Sequence, residues 1–164
     1  MTNKEYVLET MKRSGKLAAQ AIQTRASEMS GTELNAEFNY IPDFTAACKK
    51  MNMLNRPVGF VCKSSAGRIV KLLQSYDSSI FTDEPENLPA QWGFVWSNDP
   101  AHALPFVAIS TSPYMKGNCC SENGEVFSSL IDNNVYAPSA YPQGWEIIDP
   151  SELNRQYTKT NEPI

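Results

Sequence analysis

The sequence has a single histidine, no long apolar run and no excess of basic residues, and each shortage excludes a class of protein. His102 stands alone in SNDPAHALP, far from any Cys-x-x-Cys pair, so we interpret it as a turn residue rather than a zinc ligand. The longest apolar run, residues 103 to 109, is far too short to span a bilayer. Fourteen basic residues against eighteen acidic ones give a net charge of −4, which argues against a nucleic-acid-binding face.

Sequence signatures of catalysis and of cofactor binding are also missing. The chain has no glycine-rich phosphate loop, no Gly-x-Ser-x-Gly and no paired histidines, so we expect no enzymatic activity and no cofactor. A glycosidase would need two carboxylates together, here Glu84 or Glu86 with Asp132, and nothing in the pattern brings them together. We interpret the acidic run from 83 to 86 as a solvated loop.

The N-terminus and the cysteines both indicate a cytoplasmic origin. The stretch MTNKEYVLETMKRSG carries charges where a signal peptide needs an apolar core. We therefore expect four reduced thiols, with no metal and no obligatory disulfide. Cys119 and Cys120 are adjacent and would point to opposite faces of a strand, whereas Cys62 and Cys120 should be buried as small hydrophobic residues.

Residues 3 to 29 are predicted to form one amphipathic helix. An 11-residue recurrence gives a period near 3.67, carried by Val7, Met11, Ala18, Ile22 and Met29. This stripe is thin, so it needs a partner, either the rest of the chain or a second copy. A short second helix is predicted from Asp43 to Asn52, with Asp43 as its cap and Pro57 beyond its end.

From Pro57 onward the pattern is that of a small antiparallel β protein, and it repeats. Prolines recur between short apolar runs, which is typical of short strands joined by long loops. GFVCKSSAGRIVKLL (59 to 73) aligns with GNCCSENGEVFSSLI (117 to 131), and each copy then runs through a Pro-containing loop to a tryptophan. The matched residues are Gly59 and Gly117, Cys62 and Cys120, Gly67 and Gly124, and Trp92 and Trp145.

These patterns predict an α+β fold with a duplicated three-stranded module. The predicted divisions are a helical segment (1–56), a first β module (57–112), a second β module (113–150) and a flexible tail (151–164). One module of about 40 residues buries little apolar surface, so we expect the two modules and the helix to share a core.

Residues 113–148 resemble a known family of small sugar-binding modules. Tyr114-x-x-Gly117, Asn123-Gly124-x-x-Phe127 and the later Asn134, Pro138, Pro142 and Trp145 resemble carbohydrate-binding modules of families 5 and 12, the chitin-binding type. More closely, SSLIDNNVYAPSAYPQGWEII resembles the versions attached to tail and baseplate proteins of phages of Gram-positive gut bacteria. Where chitin-binding members carry adjacent exposed aromatics, this chain has Leu130 and Ile131.

The resemblance implies a non-catalytic phage accessory protein, made in a bacterial cytoplasm and assembled into a virion, that binds a cell-surface polysaccharide. The implied platforms are Tyr136 and Tyr141, and the implied polar contacts are Asp132, Asn133 and Asn134. Each has a structural alternative, since the tyrosines could anchor the loop and the asparagines could form turns. The alternative function is a virion assembly protein that uses the same β units for contacts with itself or with other tail proteins.

Overall fold

The computed structural model describes residues 1–153, and the expectation of an α+β fold is confirmed. Three helices come first, α1 (Asn3–Arg25), α2 (Gly31–Ala36) and α3 (Phe44–Lys50). The first sheet contains β1 (Val61–Lys63), β2 (Ile69–Leu72) and β3 (Trp92–Phe94). The second sheet contains β4 (Leu104–Pro105), β5 (Cys119–Glu122), β6 (Glu125–Ser129) and β7 (Trp145–Ile148). The chain packs as two compact units, Met1–Val95 and a second that begins at Trp96.

The predicted segments 1–56, 57–112 and 113–150 are divisions of the sequence and stay a prediction. The predicted tail, residues 151–164, lies almost wholly outside the described residues. The first compact unit contains both the helical segment and the first three-stranded sheet. The second compact unit contains the whole four-stranded sheet.

Helix α1 is shorter than predicted. It starts with a capping box, in which the Thr2 side chain accepts from the Glu5 backbone N–H while the Glu5 carboxylate accepts from that of Thr2. It ends at Arg25 and is followed by a turn, after which a second capping box, Ser30 with Glu33, begins α2, a helix that we did not predict. Met29 still packs against the core, so the apolar stripe continues past the end of the helix.

Helix α3 is also shorter than the predicted span from 43 to 52. Asp43 occupies its N-cap position, but the prediction that its side chain caps the helix is wrong, since it makes no cap hydrogen bond. The Asp43 carboxylate instead lies 3.8 Å from the ammonium of Lys63 on β1. The helix ends before a 3₁₀ turn, Met53–Asn55, which is capped by the side chain of Asn52.

The first sheet is antiparallel and is covered on both faces. One face packs on α1 and α2 through a core that includes Ile22, Leu34 and Ile69. The indole of Trp92 on β3 meets the ring of Phe44 on α3 edge to face, with centroids 5.8 Å apart. The helix stripe thus finds the partner within the chain that its thinness required, but only over its C-terminal half.

The two β units share one register, which confirms the predicted repeat. Cys62 lies opposite Val70 in the first sheet, and Cys120 lies opposite Phe127 in the second. Both thiols are fully buried. The closing tryptophan likewise begins the last strand of each unit. Trp92 lies opposite Leu72, and Trp145 lies opposite Ser129, which is the residue aligned with Leu72 in the repeat.

The glycines of the repeat also adopt matching conformations. The backbone φ is +93° at Gly59 and +92° at Gly117, and it is +82° at Gly67 and +81° at Gly124. Asn123, with φ +52°, completes with Gly124 the two-residue turn expected of an Asn-Gly hairpin. These left-handed positions explain why glycine recurs at fixed places in both copies.

The second unit departs from the predicted three-stranded antiparallel module in one respect. Strand β4 pairs in parallel with β5, through Leu104 with Cys120 and Pro105 with Ser121, so the second sheet is four-stranded and mixed. Pro105 fits an edge strand because proline has no N–H to donate to a further neighbour. Strand β4 pairs with the edge of β5 that faces away from β6, so the β5–β6 hairpin keeps the predicted pairing.

Candidate glycan-binding site

The structure places Tyr136 and Tyr141 side by side on the loop between β6 and β7. Their ring centroids are 6.0 Å apart and the ring planes are tilted by 59°. Tyr136 is 60% exposed and Tyr141 is 39% exposed, so both rings offer surface to a ligand. Because the planes are inclined by 59° rather than coplanar, the pair does not form the flat platform that suits a crystalline polysaccharide.

The loop that carries the two tyrosines is attached to the sheet at several points. The indole N–H of Trp145 donates to the backbone carbonyl of Tyr136 at 2.9 Å, and the Trp145 ring itself is buried. On the far side of the loop, the backbone N–H and the hydroxyl of Ser139 both donate to the carboxylate of Glu122 on β5, at 2.9 and 2.6 Å. These bonds fix the loop from two sides, and Pro142 stiffens its last turn.

Gly144 explains how the ring of Tyr141 is held. A Cβ built on Gly144 would lie 2.7 Å from one ring carbon of Tyr141 and 3.1 Å from the side-chain nitrogen of Asn134. Any larger residue would therefore push the ring away from the loop. The ring of Tyr141 packs directly against the backbone of Gly144, and this contact fixes the position of the ring relative to Tyr136.

Asn134 does not lie where a glycan contact would have to be. It is fully buried, and its side-chain amide donates to the hydroxyl of Ser129 at 3.1 Å and to the carbonyl of Gly144 at 3.2 Å. Its backbone pairs with that of Tyr114 through two hydrogen bonds of 2.8 and 2.9 Å. The assignment of Asn134 to the binding surface is therefore corrected, because it holds the base of the loop in place.

Asp132 and Asn133 are exposed, as a ligand contact requires. The carboxylate of Asp132 accepts from the backbone N–H of Lys116 at 3.0 Å and keeps acceptor capacity for a sugar hydroxyl. Asn133 has φ +54°, the left-handed conformation that asparagine tolerates better than most residues. The turn-forming alternative for Asn133 thus accounts for the residue without any ligand.

Exposed aliphatic side chains adjoin the tyrosine pair, which the sequence pattern alone did not bring out. Leu130 is 43% exposed and Ile131 is 39% exposed. The backbone N–H of Leu130 donates to the carbonyl of Gly144 at 2.8 Å, so Leu130 lies beside the glycine on which the Tyr141 ring packs.

The first β unit has no comparable pair of rings. Tyr76 is buried and its hydroxyl accepts from the indole N–H of Trp92 at 3.0 Å. Phe81 is 55% exposed on its own. Trp96 belongs to the second unit, where it is buried and stacked on Tyr114 with centroids 4.3 Å apart.

The acidic loop of the first unit is not the solvated segment that we expected. The carboxylate of Glu86 accepts from the hydroxyl of Ser64 at 2.6 Å and from the guanidinium of Arg68 at 3.1 Å. The carboxylate of Glu84 accepts from the backbone and hydroxyl of Ser65. Both carboxylates thus fasten the loop to the β1–β2 hairpin, which explains these residues without a catalytic role.

No family model matches this chain, and no curated protein or solved structure matches it either. The resemblance of residues 113–148 to carbohydrate-binding modules therefore stays a prediction. Across residues 1–153, no group of three or more His, Cys, Asp or Glu side chains is arranged to hold a metal ion. Within the same range, no helix has both the length and the apolar character needed to cross a membrane.

Proposed function

We propose that the second β unit is a non-catalytic glycan-binding module and that Tyr136 and Tyr141 are its contact rings. The observation that carries the proposal is the neighbouring pair of exposed rings on a loop tied to the sheet. A preorganised loop loses little conformational entropy when a ligand binds. The polar contacts in this proposal are Asp132 and Asn133, both exposed at the start of the same loop.

The tilt between the rings narrows the kind of glycan. A pyranose can stack on one ring face while the second ring, inclined by 59°, contacts its edge or the next sugar. This arrangement favours a soluble or bent oligosaccharide over the flat face of crystalline chitin. The setting in a phage particle and the contact with a bacterial surface rest only on the sequence resemblance of residues 113–148.

A single site of this kind binds weakly. One aromatic contact contributes on the order of 1 kcal/mol, and a millimolar dissociation constant corresponds to about 4 kcal/mol of binding free energy. Several copies on one particle would raise the avidity by roughly 10²-fold or more. The proposal therefore includes either self-association or attachment to other tail proteins.

The test is retention of multimerised protein on Gram-positive cell walls and on a glycan array that includes N-acetylglucosamine oligomers. We expect the wild type to be retained and the Tyr136→Ala/Tyr141→Ala variant to be lost from the same ligands. Phe81→Ala is the matched control, because it removes an exposed ring from the other unit. Circular dichroism checks that each variant is folded.

Two results would contradict this proposal. If the multimerised wild type is not retained on any wall or glycan, the second unit is not a glycan-binding module. If the wild type and the double variant are retained equally, a glycan is bound elsewhere on the chain.

A virion assembly role is the second candidate, and the exposed apolar side chains of the second unit favour it. Met115, Leu130, Ile131 and Ile147 of the second unit are each between 39% and 56% exposed. Exposed aliphatic residues of this kind are typical of protein–protein contacts when they form one patch. Retention on an immobilised tail protein that survives the loss of both tyrosines would favour this function.

A further inference from the structure

Half of α1 lies outside the core of its own unit. Ile22 is 2% exposed, whereas the apolar side chains between residues 6 and 11 are 47% to 65% exposed. Those side chains are Tyr6, Val7, Leu8 and Met11. Val7 and Met11 belong to the same stripe as Ile22, so the stripe runs on beyond the surface that covers it. A thin stripe of this kind stabilises a helix only where it is packed.

A groove of about 640 Å³ begins where the uncovered half of α1 ends. Its walls are formed by α1 from Gly15 to Gln23, by α3 and by the segment between α2 and α3. They are largely apolar and include the rings of Tyr40 and Phe60. The cations that line the groove are Lys16, Lys50 and Arg56, and none of its described lining residues is acidic.

Arg56 adds positive charge to this groove, and no carboxylate of residues 1–153 forms an ion pair with it. Its guanidinium lies 4.3 Å from the centroid of the Phe60 ring and donates to the Ala47 carbonyl at 2.9 Å. Its Nε is buried and has no hydrogen-bond partner among the described residues. The groove therefore suits a partner that packs apolar side chains against it and places a carboxylate beside Lys16.

Gly15 leaves room for such a partner to approach the helix. Glycine in the middle of a helix weakens it relative to alanine. Nothing lies within 4 Å of a Cβ built at Gly15, so packing within the chain does not require glycine there. The missing side chain instead opens the surface of α1 at the mouth of the groove, which allows a second backbone to come close.

We propose that two copies of the chain associate through an antiparallel pair of α1 helices. The uncovered N-terminal half of each helix lies against Gly15 and the groove of the other copy. Glu9, Lys12 and Lys16 follow at spacings of three and four residues, so they share one side of α1.

Charge selects the antiparallel orientation. With the two-fold axis between residues 10 and 11, Glu9 of each copy faces Lys12 of the other, and Glu5 faces Lys16. A parallel pair in register would set each of these residues against its own copy, which is repulsive. The association does not depend on glycan binding, but it would supply the second copy that avidity needs.

The size of the contact fits a modest dimer. A standard protein–protein interface engages roughly 20–30 residues on each side. The uncovered half of one helix supplies too few residues for such an interface, whereas the helix half and the groove together supply enough. We therefore expect the dimer to be concentration-dependent and to weaken as salt screens the ion pairs.

The experiment is sedimentation velocity on the full-length chain, whose monomer mass is 18.3 kDa. We expect the wild type to reach twice that mass. Glu9→Lys and Lys12→Glu should each raise the dimer dissociation constant by about tenfold, since by symmetry two attractive pairs become repulsive. An equimolar mixture of the two variants should recover the dimer, because the reversed charges then face each other.

Thr10→Lys is the matched control, because about 100° of rotation per residue places position 10 roughly 100° or more around α1 from Glu9, Lys12 and Lys16. It should leave the dissociation constant unchanged. A wild type that stays monomeric up to its solubility limit overturns the proposal. So does a dimer whose dissociation constant is the same in Glu9→Lys, or one that Thr10→Lys weakens equally.

Discussion

Asn134 and Asn133 are neighbours in sequence, and the structure predicts opposite consequences when each is replaced. Asn134 is fully buried, and three hydrogen bonds involve its side chain. Its amide donates to Ser129 and Gly144, and its side-chain oxygen accepts from the backbone N–H of Tyr136 at 3.3 Å. Asn133 is exposed, and its left-handed φ is one that glycine adopts freely.

The magnitude for Asn134→Ala follows from these bonds. Each is worth about 1 kcal/mol net, so the free energy of unfolding of the second unit should fall by about 3 kcal/mol. The carbonyl of Gly144 keeps the N–H of Leu130 as a donor, which limits the loss. Asn133→Gly should change stability by less than about 0.5 kcal/mol, as surface substitutions usually do.

The assay is urea denaturation followed by tryptophan fluorescence, with the midpoint and slope fitted for each transition. Because the chain has two compact units, the second can unfold in a transition of its own, and only that transition should move. If Asn134→Ala lowers the free energy of unfolding by less than about 1 kcal/mol, which is the least that one buried polar group left without a partner should cost, the structural role is refuted. A larger loss in Asn133→Gly than in Asn134→Ala would refute it as well.

Two further predictions concern the glycines and the thiols. Gly124→Ala should cost about 1 kcal/mol through its left-handed φ alone, since a Cβ there meets nothing within 4 Å. Gly144→Ala should instead displace the ring of Tyr141, seen as a shift of its NMR signals, with no left-handed penalty. Burial raises the pKa of Cys120 to about 12 and also raises that of Cys62. Because unfolded thiols ionise near pH 8.5, the stabilising effect of each neutral thiol is full below that pH and is lost above it, by about 1.4 kcal/mol per pH unit. Urea midpoints between pH 7 and 10 should therefore fall, and less steeply in Cys120→Ala; equal slopes would contradict this.

The parts of the fold that could be predicted from the sequence were set by local conformation. Gly59 and Gly117 have positive φ in both units, and Asn123-Gly124 forms the tight turn of the second hairpin. Such positions select glycine or asparagine whatever surrounds them, so they leave a visible repeat. The closing tryptophans, Trp92 and Trp145, repeat at one structural position, because each begins the last strand of its unit and buries its ring there.

The missed elements were short or depended on tertiary contacts. Helix α2 has only six residues, although Ser30 followed three residues later by Glu33 is the signature of a capping box and could have indicated it. Strand β4 has two residues, and its parallel pairing with β5 leaves no alternating pattern to find. Elements of this size are selected by their neighbours and not by propensity.

In the candidate site, the exposure of single side chains also depends on tertiary contacts and could not be predicted from the sequence. The burial of Tyr76 in the first unit and the exposure of Tyr136 in the second depend on what packs beside each ring. Similarly, the pattern could not distinguish Asn133 from Asn134, because pairing with Tyr114 decides which asparagine turns inward. Exposure is a property of the folded unit, so it required the structure.

An NMR titration of the full-length chain with N-acetylglucosamine oligomers and soluble cell-wall fragments would show directly whether the second β unit binds glycan through its tyrosine pair. We predict saturable shifts of the ring signals of Tyr136 and Tyr141, with dissociation constants near 1 mM, while the ring signals of Phe81 stay unchanged. Saturable shifts confined to other residues, or none with any fragment, would contradict this prediction.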